Sequence, residues 1–138
     1  MSVDCLKLGR IGELLAAAVL EQGGYSATIV GGNKYDILAT TDDDVFRVQV
    51  KSTRCPTSEN RRKRNSYVFR TGHGRSSKNT YKKSTIDMYA LVALDIRRVL
   101  FFPSQDIQVV TKRIGPEIFT GENAELNSLV EAVKRLER

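Results

Sequence analysis

Apolar and polar residues alternate from Val45 to Ser52, the clearest periodic pattern in the chain. Alternate side chains of a β-strand project from opposite faces, so this segment is predicted to be a strand with one apolar and one polar face. The apolar positions are Phe46, Val48 and Val50, and the polar positions are Arg47, Gln49 and Lys51. An acidic turn at residues 41–44 joins this strand to a preceding one, Tyr35 to Thr40, which predicts a hairpin.

The rest of the chain shows an alternating order of helices and strands. A first helix is predicted from Leu6 to Gln22, ended by the glycine pair at 23–24. Further strands are predicted at Tyr25 to Val30, Ser66 to Arg70, Met88 to Leu94 and Val99 to Phe102, with a loop at Gly72-His73-Gly74. A final helix, Glu122 to Leu136, carries an apolar stripe at Leu126, Leu129, Val130, Val133 and Leu136. We therefore expect one domain, residues 1–138, of the α/β or α+β class, with a mixed central sheet flanked by helices.

Composition narrows the class of protein. The chain has 138 residues and is 41% hydrophobic, which suffices for one core. No apolar run approaches the ~20 residues of a membrane-spanning helix, and no signal peptide is apparent, so a cytoplasmic protein with no membrane partner is expected. Cys5 and Cys55 are expected to be free thiols in a reducing compartment. A single histidine, His73, argues against a His-rich metal site and against a Ser-His-Asp hydrolase.

The net charge of +6 is concentrated in one stretch, residues 51–83, which we call the basic segment. It holds 11 Lys and Arg residues and one acidic residue, Glu59. Charge clustered in this way, with aromatic residues interleaved, is typical of binding to a phosphate backbone. A solvated basic loop or a localisation signal are the alternatives. The candidate DNA contacts are Arg54, Arg61, Arg62, Lys63, Arg64, Arg70, Arg75, Lys78, Lys82 and Lys83.

Four polar side chains precede or open the basic segment in an order that suits phosphodiester hydrolysis. Asp36 offers an anionic metal ligand, and Glu13 on the first helix has small neighbours that would let its carboxylate approach the sheet. Gln49 and Lys51 share one strand face; the amide would position water and the ammonium would neutralise a phosphate. Taken singly, each residue has a simpler interpretation. Asp36 could be a turn aspartate and Glu13 an exposed helix glutamate, and Gln49 and Lys51 could be ordinary polar residues of a strand.

Together, Glu13, Asp36 and Gln49-Val50-Lys51 resemble the signature of the PD-(D/E)XK nucleases. The resemblance implies a restriction-endonuclease-like core and a DNA endonuclease dependent on Mg²⁺, with Mn²⁺ able to substitute. It implies catalytic roles for Glu13, Asp36, Gln49 and Lys51, and a metal held by Asp36, Glu13, Gln49 and the backbone carbonyl of Val50. Two departures are present: no proline precedes Asp36, and Gln49 stands where the family usually has an acidic residue.

The Gln-x-Lys form is similar to the branch that contains group I intron-encoded homing endonucleases. The stretch 81–92, in which Asp87 leads a strand, and the stretch 99–103 also resemble that branch, so the likeness covers roughly residues 9–103. Archaeal-type Holliday junction resolvases are the second candidate, although they usually keep an acidic residue at the position of Gln49. A DNA-binding protein with weak or no catalysis is the third. Cutting two strands needs two active sites, which favours a homodimer or a homotetramer in a bacterial, archaeal or phage-infected cytoplasm.

Overall fold

The computed structural model describes residues 4–31, 34–58, 65–73, 79–80, 85–107 and 109–136. Within these ranges, the helices are α1 (Cys5–Gln22), α2 (Pro116–Phe119) and α3 (Ala124–Leu136), with a short 3-10 helix at Ser104–Asp106. The strands are β1 (Ser26–Ile29), β2 (Ile37–Thr40), β3 (Val45–Thr53), β4 (Tyr67–Arg70), β5 (Gly72–His73), β6 (Asn79–Thr80), β7 (Met88–Ala93), β8 (Arg98–Pro103) and β9 (Thr111–Ile114).

The central sheet has five strands in the order β1-β2-β3-β7-β8. Strands β3 and β7 run parallel, and the other neighbours pair antiparallel. In the parallel pair Gln49 lies opposite Tyr89 and Lys51 lies opposite Leu91. The mixed sheet confirms the predicted α+β fold class.

Two layers cover the two faces of this sheet. On one face α1 and α3 pack against a core that includes Ala16, Leu20, Val48, Val50 and Leu129. On the other face β4 and β9 form a two-stranded antiparallel ribbon, which packs with α2 over a second core. Because side chains alternate along β3, Val48 and Val50 face the helices, whereas Gln49 and Lys51 project toward the ribbon side.

Helix α1 begins and ends where its sequence provides caps. The side chain of Asp4 accepts a hydrogen bond from the Lys7 backbone N–H at 2.8 Å, which satisfies one free donor of the first turn. The helix ends at Gln22 with Gly23 as its C-cap, and Gly24 takes a positive φ of 95°, a conformation that costs little without a Cβ. The predicted helix ending at the glycine pair agrees with the structure.

Several predicted boundaries differ from the structure. Strand β2 begins at Ile37, so Asp36 lies just before the strand rather than in it. Gly72 and His73, predicted as a loop, pair with Asn79 and Thr80 as β5 and β6. No element was predicted between residues 104 and 119, because β9, α2 and the 3-10 helix are too short to show a periodic pattern.

The apolar stripe predicted on α3 is only partly buried. Leu129 is buried on the helix face that packs on β8, whereas Val130, one residue further round the helix, is 53% exposed. A step of one residue turns a helix by about 100°, which carries Val130 away from the sheet. Val130 nevertheless lines one groove with Leu126, Leu129 and Val133, so it forms the exposed edge of the predicted stripe.

Other features of the chain agree with simple expectations. Cys5 and Cys55 are both exposed free thiols. At the acidic turn, the Thr41 hydroxyl accepts hydrogen bonds from the backbone N–H groups of Asp43 and Asp44. Among the residues that the structure describes, no helix is long and apolar enough to cross a membrane.

Candidate active site

Helix α1 approaches β3 through a glycine. A Cβ placed on Gly12 would lie 1.9 Å from Ser52 Oγ and 3.2 Å from Ser52 Cβ, so glycine permits this spacing without a shift of the serine or the helix. The next helix residue is Glu13, whose carboxylate is thereby held over the cleft beside β3. Gly12, directly before the glutamate, is therefore the small residue that allows α1 to approach β3 closely.

Asp36 is fixed against the backbone of β3. Its N–H donates to the Val48 carbonyl at 2.9 Å, which continues the β2–β3 pairing by one step. Its carboxylate oxygen Oδ2 then accepts the Val50 N–H at 2.8 Å. The side chain thus takes the place of a strand partner, at the point where β2 has not yet begun.

The same geometry places the Val50 carbonyl near Asp36. In a paired strand, the N–H and C=O of one residue point to the same neighbour. The Val50 N–H points to Asp36, so the Val50 C=O is directed to the same edge of β3. The Asp36 carboxylate and the Val50 carbonyl, both expected as metal ligands from the resemblance, therefore lie along the same edge of β3.

The two carboxylates share a partly desolvated environment. Burial is the main cause of the raised pKa of Glu13; repulsion from Asp36 adds to it, and Arg10 opposes it. Burial also raises the pKa of Asp36, although the Val50 N–H and the charge of Lys51 act in the opposite direction. Each folded carboxyl group therefore holds its proton more tightly than in an unfolded chain. A cation between them would relieve both effects.

These groups line one cleft with a volume of about 420 Å³. Gln49 is a nearly buried polar residue, 8% exposed, and Lys51 lies two residues further along β3. The cleft thus brings together all four predicted catalytic residues and Val50. Its lining residues are Cys5, Leu8, Gly9, Glu13, Asp36, Gln49, Val50, Lys51, Ser52, Arg54 and Leu94.

The donor set suits a hard divalent cation. Two carboxylates, an amide and a backbone carbonyl are all oxygen donors, which Mg²⁺ and Mn²⁺ prefer. Ser52 Oγ adds a buried hydroxyl without a hydrogen-bond partner among the described residues. Across the described ranges, no group of three or more His, Cys, Asp and Glu side chains forms a metal cluster. A metal here would rest on Glu13 and Asp36, with neutral oxygens completing the set.

The predicted DNA contacts divide into two groups. Arg54 lines the cleft, and Arg70 is exposed at the end of β4. The remaining candidates lie outside the described residues; these are Arg61, Arg62, Lys63, Arg64, Arg75, Lys78, Lys82 and Lys83.

Sequence reasoning missed the contact between Gly12 and Ser52. The two residues are 40 positions apart, and a pattern within one helix or one strand carries no information about which residues meet across them. The available signal was a glycine directly before the candidate glutamate, at a helix position where glycine is unfavourable.

Comparison with known proteins identifies the fold and the family. A family model described as PD-(D/E)XK endonuclease matches residues 4–128. A solved structure of a bacterial homing endonuclease has a similar fold, with a TM-score of 0.74 and 13% identity, covering 99% of this chain and 98% of that chain. No protein of curated function matches the chain. The match over nearly the whole length confirms the resemblance predicted from Glu13, Asp36 and Gln49-Val50-Lys51, and the chain belongs to the PD-(D/E)XK endonuclease family.

Proposed function

We propose that the protein is a divalent-metal-dependent DNA endonuclease of the homing type, which cuts both strands at specific sites. The observation that carries the proposal is the convergence of Glu13, Asp36 and Lys51 on one cleft, with the two carboxylates desolvated and repelling each other. The membership in an endonuclease family supports hydrolysis of nucleic acid, since nucleases of this kind usually use divalent metals. The likeness to a bacterial homing endonuclease supports the homing type.

In this proposal Glu13, Asp36 and the Val50 carbonyl hold the cation. Mg²⁺ is the natural choice and Mn²⁺ a substitute, because both accept oxygen ligands and retain water. When bound, the cation would stabilise charge that develops on the phosphate and promote deprotonation of water. The role of Asp36 depends on its fixed position, which the Val50 N–H maintains.

Gln49 and Lys51 would act on different reactants, the attacking water and the scissile phosphate. Gln49 would orient the attacking water through its amide, because it adds an oxygen acceptor without adding charge. Lys51 would bind the scissile phosphate and neutralise part of its charge. With Gln49 in place of a carboxylate, the ligand charge at the cleft is −2 rather than −3, which supports a site for one cation rather than two.

The basic segment would hold the phosphate backbone on either side of the cleft. Arg54 lines the cleft itself, and β4, which carries Arg70, follows closely in the chain. Contacts of this kind fix position and orientation on the duplex without reading bases. We expect a homodimer or homotetramer, since double-strand cleavage needs two catalytic sites.

Cleavage of three DNA substrates in Mg²⁺, Mn²⁺ and EDTA tests the proposal. The substrates are a long mixed-sequence plasmid, a linear duplex and a four-way junction, each run also with Asp36→Asn protein. Discrete plasmid cuts that require metal and Asp36 are the expected result. Cuts confined to the junction would replace the homing type with a junction resolvase. DNA binding without any metal-dependent cleavage would replace the enzyme with a DNA-binding protein.

A further inference from the structure

The β4–β9 ribbon lies on the side of the sheet to which Gln49 and Lys51 project. Its inner face contributes Tyr67, Phe69 and Ile114 to the second core. The same core contains Tyr89 and Leu91, which stand opposite Gln49 and Lys51 in the parallel pair. The helices α1 and α3 cover the other side. The outer face of the ribbon is therefore directed away from the helices.

The outer face of the ribbon carries two arginines. The register pairs Val68 with Arg113 and Arg70 with Thr111, and these four side chains alternate with the buried inner ones. Both Arg70 and Arg113 are exposed. They are diagonal neighbours, so their Cα atoms lie about 7–8 Å apart. None of the four outward residues is acidic.

Lys112 does not belong to this face. It stands opposite the buried Phe69 on the inner side, and its ammonium lies 5.8 Å from the centre of the Phe102 ring. The two guanidinium groups on the outer face therefore account for the ribbon's outward charge. Only one of them, Arg70, lies in the basic segment, because β9 comes from a later part of the chain.

Hydrogen bonds attach the ribbon to the main sheet near both of its ends. The Thr53 hydroxyl, two residues beyond Lys51, donates to the Val68 carbonyl at 2.5 Å. Beyond Arg70, the Thr71 N–H donates to the Val110 carbonyl at 2.8 Å, which extends the β4–β9 pairing, and the Tyr89 hydroxyl of β7 donates to the Thr71 carbonyl at 3.3 Å. The bonds from Thr53 and Tyr89 fix the ribbon relative to β3, which carries Lys51, and to β7.

We propose that the outer face of the β4–β9 ribbon is a DNA-contacting surface, with Arg70 and Arg113 as its cationic contacts. The inference rests on the proposed endonuclease function. A two-stranded ribbon fits the major groove of B-DNA, and an outward guanidinium binds either a phosphate or a guanine edge. The excess of positive charge in the chain segment that supplies β4 favours an anionic partner over a neutral one. Arg113 becomes a DNA contact only through the pairing of β9 with β4.

Binding of a labelled mixed-sequence duplex in EDTA, followed by fluorescence anisotropy over a range of salt concentrations, tests this surface. The variants are Arg70→Gln, Arg113→Gln and the double variant. Lys134→Gln is the matched control, because it removes one exposed charge from α3, on the opposite side of the sheet. Thermal melting of each variant establishes that it is folded.

The double variant is expected to bind at least ~10-fold more weakly at moderate salt, and to lower the slope of log K against log[salt] by roughly 2 if both contacts are to phosphate. Arg113→Lys would keep a phosphate contact and lose a bidentate base contact. Equal binding by the double variant and Lys134→Gln would overturn the proposal, whatever the cleavage result. If the wild-type protein cleaves nothing but the double variant still binds weakly, the ribbon surface stands and the endonuclease function is wrong.

Discussion

Asp36 and Asp87 flank the central strand β3 and contact its backbone in the same way. Asp36 accepts the Val50 N–H at 2.8 Å, and Asp87 accepts the Arg47 N–H at 2.7 Å. The two carboxylates differ in what surrounds their charge. The Arg47 guanidinium donates to both oxygens of Asp87, at 3.0 and 3.1 Å, in a bidentate ion pair. Asp36 instead lies beside Glu13, and Lys51 only partly offsets the effect of burial on its pKa.

The comparison separates a structural aspartate, Asp87, from the proposed metal ligand, Asp36. The charge of Asp87 is neutralised within the fold, and the pair stabilises the start of β3 against β7, where Asp87 N–H also donates to the Arg47 carbonyl. The charge of Asp36 is held in place by the backbone but remains incompletely compensated. Such uncompensated charge in a cleft is typical of a site for a cation or a substrate.

The largest expected effect is a loss of cleavage when Asp36, the proposed metal ligand, loses its charge. Asp36→Asn keeps an oxygen that accepts the Val50 N–H, so the fold should persist, but it removes one of the two proposed anionic ligands. We expect the single-turnover cleavage rate in Mg²⁺ to fall by roughly 10³-fold. Asp87→Asn, which removes the same charge at the other end of β3, is the control and should cleave within about threefold of wild type. Equal losses in the two variants would contradict the distinction.

The second-largest loss of cleavage is expected when the close contact of α1 with β3, which brings Glu13 to Asp36, is disturbed. In Gly12→Ala the new Cβ would meet Ser52 Oγ at 1.9 Å and Ser52 Cβ at 3.2 Å, so the serine hydroxyl must rotate or the helix must move away from β3. A displacement of about 1 Å should reduce cleavage by up to roughly 10²-fold, and overpacking should lower the free energy of unfolding by about 1–3 kcal/mol.

Ser52→Gly provides the matched rescue for Gly12→Ala. Without the serine side chain, the nearest contact of the new Cβ would be Val50 Cγ1 at 3.7 Å, an ordinary van der Waals distance. The double variant should regain most of the cleavage rate and of the Mn²⁺ affinity measured by calorimetry. If Ser52→Gly alone is as impaired as Gly12→Ala, and the double variant is not rescued, the serine hydroxyl, rather than the spacing, is what the site requires.

A smaller effect, on the free energy of unfolding, is expected when the ion pair of Asp87 with Arg47 is removed. Asp87→Ala leaves the partly buried Arg47 guanidinium and its backbone N–H without their acceptor, so urea denaturation should show a loss of about 1–3 kcal/mol. Arg98→Gln is the control. It breaks the more exposed pair with Glu125 and should cost no more than about 0.5 kcal/mol. A loss in Asp87→Ala as small as that of the control would show that the bidentate pair adds little stability.

The sequence predicted the elements that carry the site more reliably than the contacts between them. The periodic patterns of α1 and β3 are long and regular, so Glu13, Gln49 and Lys51 were placed on the correct elements. The contact of Gly12 with Ser52 and the pairing of β9 with β4 join distant segments, and no local pattern encodes them. Val130 shows the same limit: hydrophobicity predicted an apolar stripe, but the packing partner decides which residues of the stripe are covered.

The smallest expected effect is a pH-dependent change in the Tm of the metal-free protein. The pKa values of Glu13 and Asp36 are raised on folding above their ordinary values of 4.5 and 3.8, mainly by burial. The folded protein therefore binds these protons more tightly, so their contribution to stability is present at acid pH. It is lost as the pH rises through the raised pKa values. The Tm in EDTA of Glu13→Gln and Asp36→Asn, relative to wild type, should thus increase from about pH 4 toward neutrality.

Addition of Mn²⁺ near neutral pH should reverse this difference in Tm between the two variants and wild type. A cation that binds the folded site stabilises it by mass action, so the wild-type Tm should rise above that of either variant. Asp87→Asn separates the two aspartates once more, because it keeps both site carboxylates and should show the same rise in Tm with Mn²⁺ as wild type. An equal Mn²⁺ effect in Asp36→Asn would place the cation elsewhere, and Asp36 would then be a second structural aspartate rather than a ligand.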